Sequence, residues 1–314
     1  MHSITHSLNP VGKLPVFQIV GGLESERKEF LSRLTAVLKS SRLWAKQVVV
    51  SEAPGWFRLV SAARQSDLVL VDCPVELSVR KISLSSVHCD GDALFFEGGG
   101  DDRQLEGFAG KLRERLDQLI AATPIWACIL IGGQSSRMGQ PKHLIVAKDG
   151  ELTWLERIVA LLTPYVDGII LSGGGLVPEA CKEIIRLPDI RGVKGPLAGI
   201  LAATRWNPGV NWLFCACDMP AVNSRSVEWL LEHRAAGSWG CVPRLGNAEH
   251  CEPLFAYYDF RAGQLFEELV VLNRLRIGQA GKHCKIDNPC IPCDLGVAWQ
   301  NVNTPEQLAA FTGK

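Results

Sequence analysis

Short, almost wholly apolar runs alternate with segments of helical period along most of the chain, and that alternation leaves few folds open. VFQIV from Val16, DLVLVD from Asp67, IWACILI from Ile125, DGIILS from Asp167 and WLFCACD from Trp212 lack the polar-apolar alternation of a strand with one wet face. A strand that is apolar on both faces has to be covered on both, which is the condition of a parallel strand in a sheet flanked by helices. The covering segments follow at helical spacing: about Ser25 to Leu38, about Leu152 to Leu162, one opened by GPLAGI at Gly195, and one around Ser226 to His233. The predicted class is α/β.

The alternation runs twice. QVVV from Gln47 and ALFFE from Ala93 add strands to a first series, closed by a helix carrying Phe108, Leu112, Leu116 and Leu119 and ending near Ala122. Thr123-Pro124 breaks that helix, and the pattern restarts at Ile125 and continues through PLFAYY from Pro253. The expectation is two Rossmann-like, three-layer α/β/α domains, 1–122 and 123–314, with no internal repeat.

Charge excludes several classes of partner. Thirty-three Lys and Arg balance 33 Asp and Glu, only 21% of residues are charged, and no block of like charge stands out. Such a chain lacks the electrostatic footprint of a nucleic-acid or membrane-surface binder. No apolar run reaches the roughly 18 to 20 residues needed to span a bilayer, and MHSITHSLNPVGK has neither a basic nor an apolar leader segment. The expected setting is cytoplasmic, with small molecules or proteins as partners. The eleven cysteines are scattered through apolar segments and read as small buried hydrophobes. Cys284, Cys290 and Cys293, near His283, contain one C-x-x-C pair, half of what a structural zinc site takes.

The stretch ILIGGQSSRMGQPKHLI, 129–145, carries the chemistry. Paired glycines after a parallel strand let backbone approach a ligand closely and offer bare N–H groups to anionic oxygens. Arg137 and Lys142 add fixed cations of the kind that neutralise a triphosphate. Farther on, WLFCACDMP delivers Asp218 at the carboxyl end of a strand, where ligands sit in open parallel sheets. A carboxylate there suits Mg²⁺, which is held by one or two carboxylates plus substrate phosphates.

With GPLAGI, CDMP, PLFAYY and NVNTP, the glycine loop L-x-G-G-x-S-x-R-M-G-x-x-K resembles that of the molybdenum cofactor guanylyltransferases, nucleotidyltransferases of GT-A-like fold. The resemblance covers most of the second domain. It implies that Leu130, Gly132, Gly133 and Asp189 contact a guanine nucleotide, that Arg137 and Lys142 meet its phosphates, and that Asp218 holds Mg²⁺. It implies further that Asn301 and Asn303 bring polar groups to the metal region and that Glu252, Pro253 and Trp299 lie near the acceptor. The implied reaction is transfer of GMP from GTP to molybdenum-bearing molybdopterin with loss of pyrophosphate, with apo-molybdoenzymes or their chaperones as possible partners downstream. Ile131, Pro141 and the SGGG at 172–175 depart from the guanylyltransferase pattern. CMP transfer to molybdopterin, nucleotidyl transfer to a sugar phosphate, and a non-catalytic cofactor-holding protein remain open readings of the residues.

The first domain resembles the small P-loop GTPase-like adapter that accompanies this family, through VFQIV-GGLESERKEFLSRL and DLVLVDCP. A working P-loop needs G-x-x-x-x-G-K-[S/T]. Here Glu26 and Arg27 take the Gly-Lys positions after Gly21, and Lys28 replaces the hydroxyl residue. A carboxylate in the phosphate nest repels what the nest would hold, so this domain is expected to dock or stabilise without hydrolysing nucleotide.

Overall fold

The computed structural model describes residues 14–48, 54–75, 78–85, 93–97, 99–132, 141–146, 152–246 and 250–312. These residues form two compact units. One is Met1–Thr123 with Ala235–Gly237, and the other is Pro124–Arg234 with Ser238–Lys314.

The first unit runs β1 (Val16–Val20), α1 (Glu24–Ser40), β2 (Ala45–Val48), α2 (Trp56–Arg64), β3 (Leu68–Val71), β4 (Arg80–Ser83), β5 (Leu94–Phe95) and α3 (Asp102–Ala122). Its sheet is parallel throughout, in the order β2-β3-β1-β4-β5. One face packs Phe17, Ile19, Leu68 and Leu70 against the apolar stripes of α1 and α3, and the other packs Val16, Val69 and Val71 against Leu59 and Ala63 of α2. Alternate residues of β1 and β3 therefore feed opposite cores, and their unbroken apolarity has its physical cause. Asp101 starts α3 by accepting from Gln104 N at 2.8 Å while Gln104 returns a carboxamide oxygen to Asp101 N at 3.1 Å.

The second unit contributes β6 (Ile125–Leu130), α4 (Trp154–Leu162), β7 (Gly168–Ser172), β8 (Ile185–Leu187), α5 (Pro196–Trp206), β9 (Asn211–Ala216), α6 (Ser224–Glu232), β10 (Gly240–Cys241), β11 (Arg244–Leu245), β12 (Phe255–Tyr258), α7 (Ala262–Val271), β13 (Ile286–Asp287), β14 (Cys290–Ile291) and α8 (Pro305–Thr312). Seven strands form one sheet in the order β13-β10-β12-β9-β6-β7-β8, and β11 pairs with β14 separately. Along β6, Ala127 and Ile129 join Leu155, Ile158, Val227 and Leu230 of α4 and α6, whereas Cys128 and Leu130 join Leu197, Leu201 and Phe266 of α5 and α7. Both units are thus three-layered.

Register places the site. β6 is parallel to β9 and to β7, with Leu130 opposite both Ala216 and Ser172, so three strand ends stand level. From β6 the chain winds to β7 and β8 on one side and returns to β9 on the other, which makes the gap between β6 and β9 the switch point where α/β sheets bind ligands. β12 runs antiparallel to β9 with Phe255 opposite Cys215, bringing the residues that precede it to the same edge.

The sequence pattern finds β5 within ALFFE but misses β4, β8, β10, β11, β13 and β14, as well as α2 and α7. β8, IRL, is an edge strand with two exposed residues and no apolar signature, and RKIS of β4 opens with two cations. Among the described residues, no helix is long and apolar enough to cross a membrane, and no three His, Cys, Asp or Glu side chains are grouped to hold a metal. Cys284, Cys290 and Cys293 are exposed.

Burial separates the thiols chemically. It pushes Cys217 and Cys241 up to about 12 and raises Cys128 and Cys215 as well. Since the thiolate is the nucleophile, a thiol reagent at neutral pH should label Cys284, Cys290 and Cys293 of the native protein. Peptide mapping should find the four buried positions labelled only after denaturation.

Candidate functional site

Lys142 sits in a single helical turn, Lys142–Leu144, entered from Pro141. The next residue, His143, is buried, and its Nε2 lies 2.7 Å from Leu176 O, which pins the turn to the loop after β7. Thus anchored, Lys142 directs Nζ to Asp218 Oδ2 at 2.9 Å and to Asn303 Oδ1 at 2.5 Å. Asp218 follows β9, where Cys217 N donates to Leu130 O at 3.1 Å and Val302 N donates to Asp218 O at 2.9 Å. Three segments remote in sequence meet around one positive charge. With side-chain exposures of 15% for Lys142 and 21% for Asp218, the pair is shielded yet reachable.

Beside it lies a second cluster. Gly173 has φ +118, and a Cβ there would fall onto Gly132 N and within 2.7 Å of Gly132 Cα. The loops after β6 and β7 therefore touch backbone to backbone. Asp189 Oδ2 lies 3.5 Å from the position of a Gly132 Cβ, and Asp189 Oδ1 accepts from Ser172 Oγ at 3.3 Å. Arg186 holds the same loop by donating to Gly175 O at 2.9 Å and Gly173 O at 3.3 Å. Leu130 closes the floor, packed so tightly on α5 that a Cβ at Gly199 would come within 2.9 Å of its Cδ2.

Of the residues the sequence singled out, Leu130, Gly132 and Asp189 come together in one cluster and Lys142, Asp218 and Asn303 in the other. Gly133 and Arg137 lie outside the described residues. Asn301 is exposed. Trp299 is buried, donating Nε1–H to Phe255 O at 2.9 Å and packing edge-on against Trp229. Thr304 caps α8, its Oγ1 accepting from Gln307 N at 3.3 Å. Sequence reasoning missed Ser172, Gly173, Arg186 and the anchoring part of His143. The SGGG run directly after a strand was the available sign, because consecutive glycines there permit the left-handed turn and the contact with Gly132.

Residues 127–279 match the family described as MobA-like NTP transferase domain. A protein of Pelotomaculum thermopropionicum named "Probable molybdenum cofactor guanylyltransferase" is 31% identical over 185 residues, 57% of this chain and 88% of that protein. One of the same name from Bacillus mycoides is 28% identical over 186 residues, 57% of this chain and 91% of its own length. Among solved structures, molybdopterin-guanine dinucleotide biosynthesis protein A from Archaeoglobus fulgidus aligns with a TM-score of 0.49 at 22% identity, over 60% of this chain and 97% of that one.

Gly173→Ala tests the backbone contact. The substitution meets both a left-handed φ and two backbone atoms, so it should cost about 1–3 kcal/mol of stability and weaken nucleotide binding. Thermal unfolding and a nucleotide titration would show the two losses together.

Proposed function

The chain belongs to the molybdenum cofactor guanylyltransferase family, and on that premise we propose that it transfers GMP from GTP to molybdenum-bearing molybdopterin, releasing pyrophosphate. The observation that carries the reading is the placement of Lys142 Nζ between Asp218 Oδ2 and Asn303 Oδ1 at the sheet's switch point, next to the glycine contact.

Asp189 supports the choice of base. A carboxylate accepts two parallel hydrogen bonds from the N1–H and 2-amino groups of guanine, whereas cytosine offers it a single amino group. Gly132, with no side chain, lets the nucleotide approach the backbone, and Leu130 supplies apolar floor. An oxygen of the acceptor's terminal phosphate attacks the α-phosphorus in line, the bond from α-phosphorus to the β-phosphate bridging oxygen breaks, and pyrophosphate leaves. The nucleophile is already ionised at neutral pH, so no side chain need take a proton from it. Lys142, on a flexible four-carbon stem, turns its ammonium toward the leaving pyrophosphate, and Arg137, five residues earlier in the sequence, is the second cation assigned to the phosphates by the family pattern.

The donor set fits a divalent cation, which we take to be Mg²⁺. Asp218 and Asn303 supply two oxygens that already converge on one positive charge, the Lys142 ammonium, and hard cations take oxygen donors. Bound by Asp218, with Asn303 beside it, the ion would supply neutralisation of phosphate charge. Ten described thiols without a disulfide agree with a cytoplasmic setting.

For the first unit the reading is docking or stabilisation, with recipient apo-enzymes or their chaperones as candidate partners. Gly21 and Gly22 are both left-handed, at φ 75 and 64. The N–H of Leu23 donates to Glu26 Oε2 at 2.6 Å, while Arg27 pairs with Asp72 at 2.6 Å and donates to Gly22 O at 3.1 Å. Side chains of α1 thus occupy the backbone donor and the acidic group that a nucleotide and its metal would require.

With GTP and acceptor, the protein should release pyrophosphate, and Asp218→Ala and Lys142→Ala should each lower that release by roughly 10²–10³-fold. CTP should substitute poorly. Release with CTP alone would overturn the choice of base, and undiminished release by Asp218→Ala would overturn the site. GTP without acceptor should yield no orthophosphate, and its appearance would overturn the reading of the first unit.

A further inference from the structure

Across the sheet of the second unit, β9, β6, β7 and β8 stand side by side, and their ends are followed by Asp218, Gly132, Gly173 and Asp189 in that order. The groups assigned above to phosphate and metal gather at the β9 end, and the carboxylate assigned to the base stands at the β8 end. A nucleotide lying along this line sets its base against the loop after β7, the SGGG run that departs from the guanylyltransferase pattern.

That loop is held from three sides. His143 Nε2 lies 2.7 Å from Leu176 O, and Gly173 N donates to Leu187 O at 3.2 Å. The third hold is Arg186 of β8, whose Nη2 donates to Gly175 O at 2.9 Å and to Gly173 O at 3.3 Å. In a trans peptide the carbonyl and the N–H that follows it point in opposite directions. With both carbonyls drawn to one guanidinium, the N–H groups of Gly174 and Leu176 therefore point away from it. Among the described residues no acceptor engages either N–H. Gly174 is exposed, and Leu176 is 80% exposed.

Two backbone donors beside an exposed apolar side chain suit a flat ring with a carbonyl oxygen on its edge. Guanine carries such an oxygen, O6, next to the N1–H that Asp189 accepts in the reading above. Adenine places an amino group there, donor against donor. We propose that Arg186 is a positioning residue for base selection: by fixing the carbonyls of Gly173 and Gly175, it presents the N–H groups of Gly174 and Leu176 to guanine O6. The inference rests on the transfer of GMP proposed above.

The test compares GTP with the triphosphate of 2-aminopurine riboside, which keeps the 2-amino group and lacks O6, by calorimetric titration of the full chain. Wild type should prefer GTP. Arg186→Ala should weaken GTP about tenfold, the size of a lost hydrogen bond, and leave the affinity for the analogue unchanged. In the transfer assay its KM for GTP should rise by the same factor with kcat kept. Guanidinium ion at millimolar concentration should restore GTP binding to this variant, and Arg186→Lys, which keeps one cationic donor, should fall between it and wild type. A loop that had merely lost its shape would weaken both nucleotides equally, and that result would overturn the assignment. So would a GTP affinity untouched by Arg186→Ala, or equal binding of the two nucleotides by wild type. The parent reading fails separately. An Arg186-dependent preference for GTP in a protein that releases no pyrophosphate with acceptor would leave the base-reading loop standing and remove the reaction, whereas release from GTP without that dependence would do the reverse.

Discussion

A strand buried on both faces has no freedom of register, and β6 is that strand in the second unit. Ile129 answers to one core and Leu130 to the other, so a slip of one residue would invert every side chain at once. Because β7 and β9 both align on β6, the ends at Leu130, Ser172 and Ala216 arrive level. Everything proposed for the chemistry hangs from those three ends: the glycine contact from β6 and β7, the carboxylate of Asp218 from β9. Hydrophobic burial, which has no directionality of its own, is converted by strand pairing into placement of polar groups.

How much of this could be read beforehand follows the same division. Elements that bury both faces, such as IWACILI and WLFCACD, announce themselves by composition alone. Elements held by pairing across long sequence distances do not: Gly240–Cys241 pairs with both β12 and β13, yet two residues carry no period. The position of the candidate site was legible where a residue type marks a strand end, as with Gly132 after β6 and Asp218 after β9. It was not legible where a residue acts through another. Ser172 orients Asp189, and His143 fixes Lys142 through the carbonyl of Leu176. A serine or histidine of that kind has no pattern in the chain, because its partner is chosen by the fold. The membership of Ala235–Gly237 in the first unit likewise had no sign in the sequence.

Charge is managed in the two units by the same means with different outcomes. In the second, the ammonium of Lys142 stands between two oxygens with enough exposure to be displaced. In the first, Glu26 and Arg27 close the loop after β1 with short bonds to backbone and to Asp72, whose side chain is 4% exposed. On the function proposed above, the first of these arrangements would exchange its internal partner for a ligand, and the second would keep it.

The contact between Gly132 and Gly173 also bears on heredity. Most steric faults in a protein core can be relieved by trimming a neighbouring side chain, and genetic suppressors usually take that route. Around Gly173 the atoms in the way are the nitrogen and α-carbon of Gly132 and the carbonyl carbon of Ile131, and no codon change removes a main-chain atom. A lineage that loses the glycine at 173 can recover only by moving whole strands or by reverting. That position is therefore locked by geometry alone, whatever nucleotide the enzyme comes to use.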